Sequence, residues 1–298
     1  MRIASNEVRN NKIKSYFLIL FFVFLAAILG SIFGMIYGNL YFGIGITIIF
    51  AIFYTLIMYY SGSNMILAMS GAHPVTKREY PHLYHTVEGL AIAAGLPTPK
   101  AYVIKDSALN AFATGRNPEN ASITVTTGLM EKLNRQELEG VIAHEMSHIK
   151  NYDIRFMMLA AVLVGIVTLL SDFLLRSFLW GGMRGKRDNN QATMLLIVVG
   201  LVLAILTPLV GQMIKLSISR KREYMADALG AKLTRYPPGL ANALKKISHD
   251  PDPLVDHANK ATAHLFISTP FRKKSSFLAG LFSTHPPIQD RIKRLEEM

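Results

Sequence analysis

Two long uncharged stretches near the N-terminus restrict what this chain can fold into more than any other feature. Residues 16–37 and 40–60 contain no charged side chain, and each exceeds the roughly 18–20 apolar residues that a helix needs to cross a bilayer. Gly38 and Asn39 separate them, which is a turn signal too short for anything but a hairpin. The sequence therefore predicts an N-terminal transmembrane hairpin within residues 1–60.

Basic residues before the first stretch predict how the hairpin is oriented. Arg2, Arg9, Lys12 and Lys14 precede the first apolar run, and such charges favour the cytoplasmic side of a membrane. A cleaved signal peptide is the alternative, but its apolar core would be only about 7–15 residues long. We therefore expect an uncleaved anchor, with everything after Ser61 in the cytoplasm.

Two later apolar stretches extend the same argument. Residues 193–214 are uncharged, whereas residues 157–180 include Asp172 and Arg176, four positions apart and able to pair on one helix face. A charge near mid-bilayer costs about 2.5–3.5 kcal/mol. Either the stretches form a second transmembrane hairpin, or they pack on the protein without crossing; their length favours crossing and about four transmembrane helices in all. The predicted parts of the chain are a hairpin, the first half of a soluble domain, a second hairpin and the second half of that domain, at residues 1–60, 61–155, 156–214 and 215–298.

Composition narrows the classes of partner and of metal site. Hydrophobic residues make up 51% of the chain and charged residues 17%, and the formal net charge is +12. With so much apolar sequence, the basic excess points to a membrane surface, and no nucleic-acid-binding motif is present. The chain has no cysteine, which excludes disulfides and thiolate ligands. Any metal site must therefore use His and carboxylate ligands, as catalytic zinc sites do.

The pattern His-Glu-x-x-His at His144, Glu145 and His148 predicts such a site. It lies within a predicted helix that Asn134 and Glu137 begin with a capping box. Two imidazoles four residues apart lie on one helix face and can reach one metal ion. Glu145 would then lie beside the open position and could take a proton from bound water. A surface helix with this pattern by chance is the weaker alternative.

The second half of the chain contains candidates for a third metal ligand and for further site residues. Glu223 and Asp227 stand four residues apart on a predicted helix; Glu223 is the candidate ligand, and Asp227 could hydrogen-bond a ligand imidazole. A solvated pair of surface charges remains the alternative. His285 lies on a proline-bounded turn and could reach the metal, but the residues alone favour a solvated or capping histidine.

The segment after the first hairpin has the pattern of an α+β domain. A helix is predicted at 83–94 and strands at 100–104 and 122–126, with further helices at 238–247 and at the C-terminus. The segment 110–115 lies between the two predicted strands. A strand edge beside a metal site could pair with an extended peptide, although an ordinary sheet strand is an equal alternative.

Over nearly its whole length the chain resembles the HtpX-type membrane metalloproteases, relatives of the CAAX prenyl endopeptidases. The resemblance is carried by the N-terminal hairpin and by four motifs: Asn-Ala-Phe-Ala at 110–113, His-Glu-x-x-His at 144–148, Ser-Arg-x-Arg-Glu-x-x-Ala-Asp at 219–227, and Thr-His-Pro at 284–286 with Arg291.

The resemblance implies a gluzincin fold with one zinc ion per chain. Its ligands would be His144, His148 and Glu223, and Glu145 would be the general base. Asp227 and Arg291 would support the ligands, Asn110 and Ala111 would hold the substrate backbone, and His285 would approach the zinc to close the resting site or to stabilise the oxyanion.

The resemblance also implies proteolytic quality control of membrane proteins in the bacterial inner membrane, often under stress, by a multi-pass protein with a cytoplasmic protease domain. The expected partners are membrane-protein or peptide substrates, the lipid bilayer, and a second copy or other quality-control proteases, but not nucleic acid. Two alternatives remain. A CAAX-type prenyl endopeptidase usually has a larger membrane chamber than so few spans can build, and a non-proteolytic metal sensor or chaperone would not need Glu145.

Overall fold

The N-terminal hairpin is formed by two long helices. A computed structural model describes residues 2–36, 38–163, 165–166, 200, 220–250, 265–267 and 286–298. Helices α1 (Arg2–Ile36) and α2 (Leu40–Met69) pack against each other. Both are long and apolar enough to cross a membrane, and most of their residues are not buried inside the protein. The structure thus contains the two apolar helices and the short turn between them.

The hairpin turn and its packing depend on glycine. Gly38 adopts a left-handed conformation with a φ of 75°, which glycine allows without a steric penalty. A Cβ on Gly43 would collide with the backbone of Gly30 and Gly34, so these small residues let the two helices approach closely. Helix α2 continues past the predicted end at Tyr60 because the following residues contain neither charge nor proline.

A four-stranded sheet follows the hairpin. Strands β1 (His73–Pro74), β2 (Lys100–Ile104), β3 (Ala111–Gly115) and β4 (Ala121–Thr126) lie in the order β1-β2-β4-β3. Strand β4 is parallel to β2 and antiparallel to β3. Strand β3 therefore forms one edge of the sheet, and its residues are all buried. The predicted strands are confirmed, and residues 111–115 form this edge.

Helix α5 lies at the centre of the soluble domain. Besides a helical segment over 153–163, the α-helices that follow the hairpin within the described residues are α3 (Pro81–Ala94), α4 (Thr127–Lys132), α5 (Arg135–Lys150), α6 (Arg220–Thr234), α7 (Pro237–Ser248) and α8 (Ile288–Glu296). Helix α5 contacts α3, α6, α7 and β3, and twelve of its sixteen residues are buried. Its predicted capping box is confirmed, because Asn134 and Glu137 each accept a hydrogen bond from the other's backbone.

The buried apolar residues of the described chain form two hydrophobic cores. The first packs the sheet against α3, α5, α7 and α8. The second joins the end of α2 to Phe112 of β3, to Phe266 and to a helical segment over 153–163. The rings of Phe112 and Phe266 meet edge to face with centroids 5.0 Å apart. The second core thus attaches the hairpin to the edge strand of the sheet.

The prediction of about four transmembrane helices is met for two. Within the described part of the chain, α1 and α2 are the two helices long and apolar enough to span. Apart from 157–163, 165–166 and 200, the stretches predicted at 157–180 and 193–214 lie outside the described residues. The same holds for Asp172, Arg176 and His285.

Candidate metal centre

The two histidines of the His-Glu-x-x-His pattern converge on one point. His144 and His148 lie one turn apart on α5 and are both buried. Their Nε2 atoms are 3.2 Å apart. Helix α5 holds the two imidazoles in place because a capping box stabilises its start and other elements pack against it on several sides.

Glu223 completes the group from helix α6. Its Oε1 lies 3.5 Å from Nε2 of His148, and its Oε2 lies 3.8 Å from Nε2 of His144. The candidate ligand atoms of the three residues all lie within 4.8 Å of one another. Helix α6 reaches this position because Gly230 lets it pass close to α5: a Cβ there would be 3.0 Å from the backbone nitrogen of His144.

The chemistry of this set suits a zinc ion. Two imidazole nitrogens and one carboxylate oxygen are a known ligand set of catalytic zinc, which leaves a position open. All three side chains are buried, and their acceptor atoms point at one another. Such an arrangement is unfavourable without a cation or protons between the acceptors, so the residues present fit the metal that the sequence predicts.

A carboxylate orients each imidazole from behind. Nδ1 of His144 lies 2.9 Å from Oδ1 of Asp227, and Nδ1 of His148 lies 3.0 Å from Oδ2 of Asp153. Because an ionised carboxylate can only accept, each Nδ1 carries the proton and each Nε2 is left for a metal. The structure thus brings Asp227 within hydrogen-bond distance of the His144 imidazole.

The charge of His148 responds to these neighbours. Burial lowers its pKa, but the hydrogen bond with Asp153 and the carboxylate of Glu223 outweigh burial and raise the pKa to about 9. Without a metal this imidazole is therefore protonated at neutral pH. A metal that binds must displace that proton.

Arg291 connects the C-terminal helix to the same site. Its guanidinium donates to both oxygens of Asp227, from Nε at 2.9 Å and from Nη2 at 2.7 Å, and its Nη1 lies 3.6 Å from Oε2 of Glu223. Burial would raise the pKa of Asp227, but the charge of Arg291 and the hydrogen bond from His144 hold it at about 2. Asp227 is therefore ionised at neutral pH and can keep His144 in place.

Glu145 is buried next to the ligands on α5. Its carboxylate lies close enough to raise the pKa of both His148 and Arg291. A buried carboxylate at this position can act as a proton acceptor beside the three candidate metal ligands.

The predicted substrate-binding residues lie at the start of the edge strand: Asn110 directly precedes β3, and Ala111 is its first residue. Their outward groups already have partners. The carbonyl of Asn110 accepts a hydrogen bond from the Thr126 N–H at 3.0 Å and so faces β4. Along a strand the backbone groups alternate in direction, so those of Ala111 face outward. The Ala111 carbonyl accepts from the Ile267 N–H at 2.9 Å, and the Ala111 N–H donates to Oδ1 of Asn110 at 3.1 Å.

Asp153 is a site residue that the sequence analysis did not name. It follows His148 by five positions, just beyond the end of α5 at Lys150. A carboxylate so soon after a ligand histidine was the available signal, but its contact with His148 depends on the turn at Tyr152, whose φ is 61°. Nothing in a tyrosine predicts that left-handed conformation.

One protein family matches most of the chain. Residues 77–298 match the profile of Peptidase family M48. The chain belongs to this family. It is therefore a metal-dependent endopeptidase, as the sequence predicts, and its His144, His148 and Glu223 form a group that could bind the metal.

Curated relatives of this M48 peptidase confirm the HtpX-type resemblance. It is 46% identical over 291 residues to a Protease HtpX homolog of Dictyoglomus turgidum, a match that covers 98% of this chain and 93% of that one. It is 42% identical over 302 residues to a Protease HtpX homolog of Listeria monocytogenes, covering 98% and 99%. With its two membrane-capable helices, the chain is a membrane metalloprotease.

A solved structure shares the fold of this M48 peptidase. The crystal structure of S. mikatae Ste24p matches 97% of this chain with a TM-score of 0.52 and 19% sequence identity. The match covers 66% of that protein. At this identity the likeness concerns the fold alone: a helical peptidase with a small sheet.

Proposed function

We propose that this M48 peptidase is a zinc-dependent endopeptidase of the bacterial inner membrane. Its proposed work is to cleave misfolded or damaged membrane proteins at the cytoplasmic face, under stress conditions. The observation that supports this most is the convergence of His144, His148 and Glu223, with ligand atoms within 4.8 Å of one another beside Glu145. These three residues are the proposed zinc ligands.

The residues of the site divide the chemistry of peptide hydrolysis among them. When bound, a zinc ion supplies Lewis-acid chemistry, polarising the substrate carbonyl and making a water molecule acidic near neutral pH. Glu145 takes the proton from the attacking water and passes it to the leaving amine. Asp227 and Asp153 keep the two imidazoles in the tautomer and orientation that direct Nε2 to the metal.

Arg291 is proposed to keep the site in its charged state. Because its guanidinium is paired with Asp227 and lies near Glu223, it balances the negative charge that buried carboxylates bring to the ligands. The role proposed for His285, to close the resting site or to stabilise the oxyanion, concerns a residue outside the described part of the chain.

The edge strand is the proposed docking site for the substrate backbone. An extended peptide that pairs with Ala111 would replace the Ile267 N–H at its carbonyl and the Asn110 side chain at its N–H. In this proposal the Asn110 side chain turns towards the peptide when Ala111 pairs with it. Strand β3 contacts the base of the hairpin through Phe112, so a substrate bound there would lie near the membrane.

The hairpin supports the membrane location. Large apolar side chains of α1 and α2 are mostly exposed, such as Phe17 at 66%, Phe42 at 67% and Phe53 at 62%. A patch of this kind is expected to be covered by lipid. The basic residues at the start of α1 support a cytoplasmic N-terminus and, through the hairpin, a cytoplasmic site.

The experiment compares variants of the purified, zinc-loaded full-length protein on a membrane-protein substrate. Glu145→Gln should abolish cleavage with zinc retained, because Glu145 is the base and not a ligand. Glu139→Gln is the matched control: the same change on the same helix, at a partly exposed side chain paired with Arg135 at 3.0 Å. Glu223→Ala should lose zinc as well as activity. Normal cleavage by Glu145→Gln would refute the base assignment, and full zinc content in Glu223→Ala would remove that ligand.

A further inference from the structure

We propose that Asn11, on the first membrane-capable helix, is a positioning residue of the metal centre. Through Asp153 it fixes the orientation of His148, and it thereby couples α1 to the site. This inference rests on the ligand role proposed above for His148.

The amide of Asn11 is fully used inside the protein. Asn11 is 0% exposed, although it belongs to a helix whose span from Asn6 to Ile32 is apolar enough for a membrane. Its Nδ2 donates to Oδ1 of Asp153 at 2.6 Å and to the carbonyl of Asn151 at 3.0 Å. Its Oδ1 accepts from Nη1 of Arg222 at 3.1 Å. A buried polar group in such a helix is costly unless it is satisfied in this way.

Asp153 transmits the position of Asn11 to the ligand. One carboxylate oxygen, Oδ1, accepts from Asn11, and the other, Oδ2, accepts from Nδ1 of His148 at 3.0 Å. With both oxygens engaged, the carboxylate cannot rotate without breaking one of these hydrogen bonds. Two hydrogen bonds therefore separate the membrane hairpin from a metal ligand.

Contacts from helix α1 stabilise the turn that precedes Asp153. Tyr152 has a φ of 61°, a left-handed conformation that is unfavourable for a non-glycine residue. Asn11 bonds to Asn151 on one side of this tyrosine and to Asp153 on the other. Nζ of Lys12 lies 4.4 Å from the centroid of the Tyr152 ring. Helix α1 thus holds the turn in the conformation that aims Asp153 at the site.

Asn11 also reaches the helix that supplies the third proposed ligand. Its partner Arg222 precedes Glu223 in the first turns of α6. The guanidinium of Arg222 is buried, and its Nε lies 3.7 Å from Oδ1 of Asp153. Asn11 therefore contacts both Asp153, which hydrogen-bonds His148 of α5, and Arg222, which directly precedes Glu223 on α6.

The test uses the full-length protein in detergent. Asn11→Ala removes every contact of the amide, whereas Asn11→Asp keeps an acceptor for Arg222 but loses the N–H donors to Asp153. Ser15→Ala is the matched control, because Ser15 is buried one turn further along α1 and its hydroxyl donates within the helix, to the carbonyl of Asn11 at 2.8 Å. Zinc affinity is measured by chelator competition, the ligand geometry by the absorption spectrum of the cobalt form, and cleavage by kcat and KM separately.

We expect both Asn11 variants to bind zinc about 10–100-fold more weakly, as for other residues that orient a ligand histidine. The cobalt spectrum should change, and kcat should fall with KM little altered. Asn11→Asp should lose at least as much affinity as Asn11→Ala, because it places two carboxylates together. Ser15→Ala should behave as the unaltered protein.

The proposal is overturned if both Asn11 variants keep the zinc affinity and cobalt spectrum of Ser15→Ala. It is also overturned in favour of a purely structural role if the variants lose thermal stability equally with and without zinc, or if neither accumulates as folded protein. His148→Ala separates this inference from the proposed function. If His148→Ala keeps its zinc, the ligand assignment fails; if it loses zinc and the Asn11 variants do not, only the role of Asn11 fails.

Discussion

Arg291 donates hydrogen bonds to both carboxylate oxygens of Asp227, at 2.9 and 2.7 Å. Asp227 in turn lies 2.9 Å from Nδ1 of His144. The C-terminal helix α8 therefore contacts the candidate metal ligands through Asp227 of helix α6. Folding of the C-terminus and assembly of the site are coupled by this buried pair.

Replacing Arg291 with Met should destabilise the protein and loosen the site. The change leaves the Asp227 carboxylate buried without its cation, and breaking a buried ion pair in this way costs about 3–5 kcal/mol. Thermal unfolding in detergent, followed with and without zinc, measures the loss. Lys293→Ala is the control on the same helix, since its side chain is 77% exposed. Equal melting of the two variants would show that the pair contributes little.

Zinc affinity should rise with pH up to about pH 9. In the metal-free protein Asp153 and Glu223 raise the pKa of His148 from 6.5 to about 9, and a metal displaces the bound proton. Affinity should therefore gain about tenfold per pH unit between roughly pH 6.5 and 9 and level off above. The folding stability of the metal-free protein depends on pH in the opposite direction. The stability that comes from protonated His148 is complete below pH 6.5 and is lost as pH rises through 9.

Chelator competition at a series of pH values checks this dependence. Thermal unfolding of the metal-free protein over the same range checks the opposite trend. An affinity that is flat from pH 6.5 to 9 would mean that His148 is already neutral before the metal binds.

Local sequence signals predicted the helix that carries His144 and His148 well. The capping box of Asn134 and the four-residue spacing of His144 and His148 act within one helix, so they can be recognised without the rest of the fold. The same spacing identified Glu223 and Asp227 as a pair on one helix. What spacing could not give was the distance between the two helices.

That distance depends on contacts between parts far apart in the chain. Helix α6 approaches α5 because Gly230 sits against the backbone of His144, and a lone glycine within a helical pattern predicts no partner. The roles of Asp153 and Asn11 could not be predicted from the sequence for a related reason. Their roles follow from a left-handed Tyr152 and from the packing of α1 on the soluble domain, which only the folded chain brings together.

Asn110 offers a test of the substrate edge that leaves the metal group intact. Its side-chain oxygen accepts from the Ala111 N–H at 3.1 Å, so it occupies the place that a substrate carbonyl would take. If Asn110 turns to bind the peptide backbone, Asn110→Ala should lose one hydrogen bond to the substrate. A bond of this kind is worth about 0.5–1.5 kcal/mol, which predicts a roughly 2–10-fold loss in kcat/KM with zinc content unchanged.

The matched control is Thr114→Val on the same strand. Thr114 is buried, and within the described part of the chain its hydroxyl has no hydrogen-bond partner, so its removal should not affect cleavage. Peptide hydrolysis by the three proteins, measured at equal zinc content, gives the comparison. Unchanged kcat/KM in Asn110→Ala would place the substrate backbone away from this edge, because a strand that pairs with Ala111 must meet the Asn110 side chain.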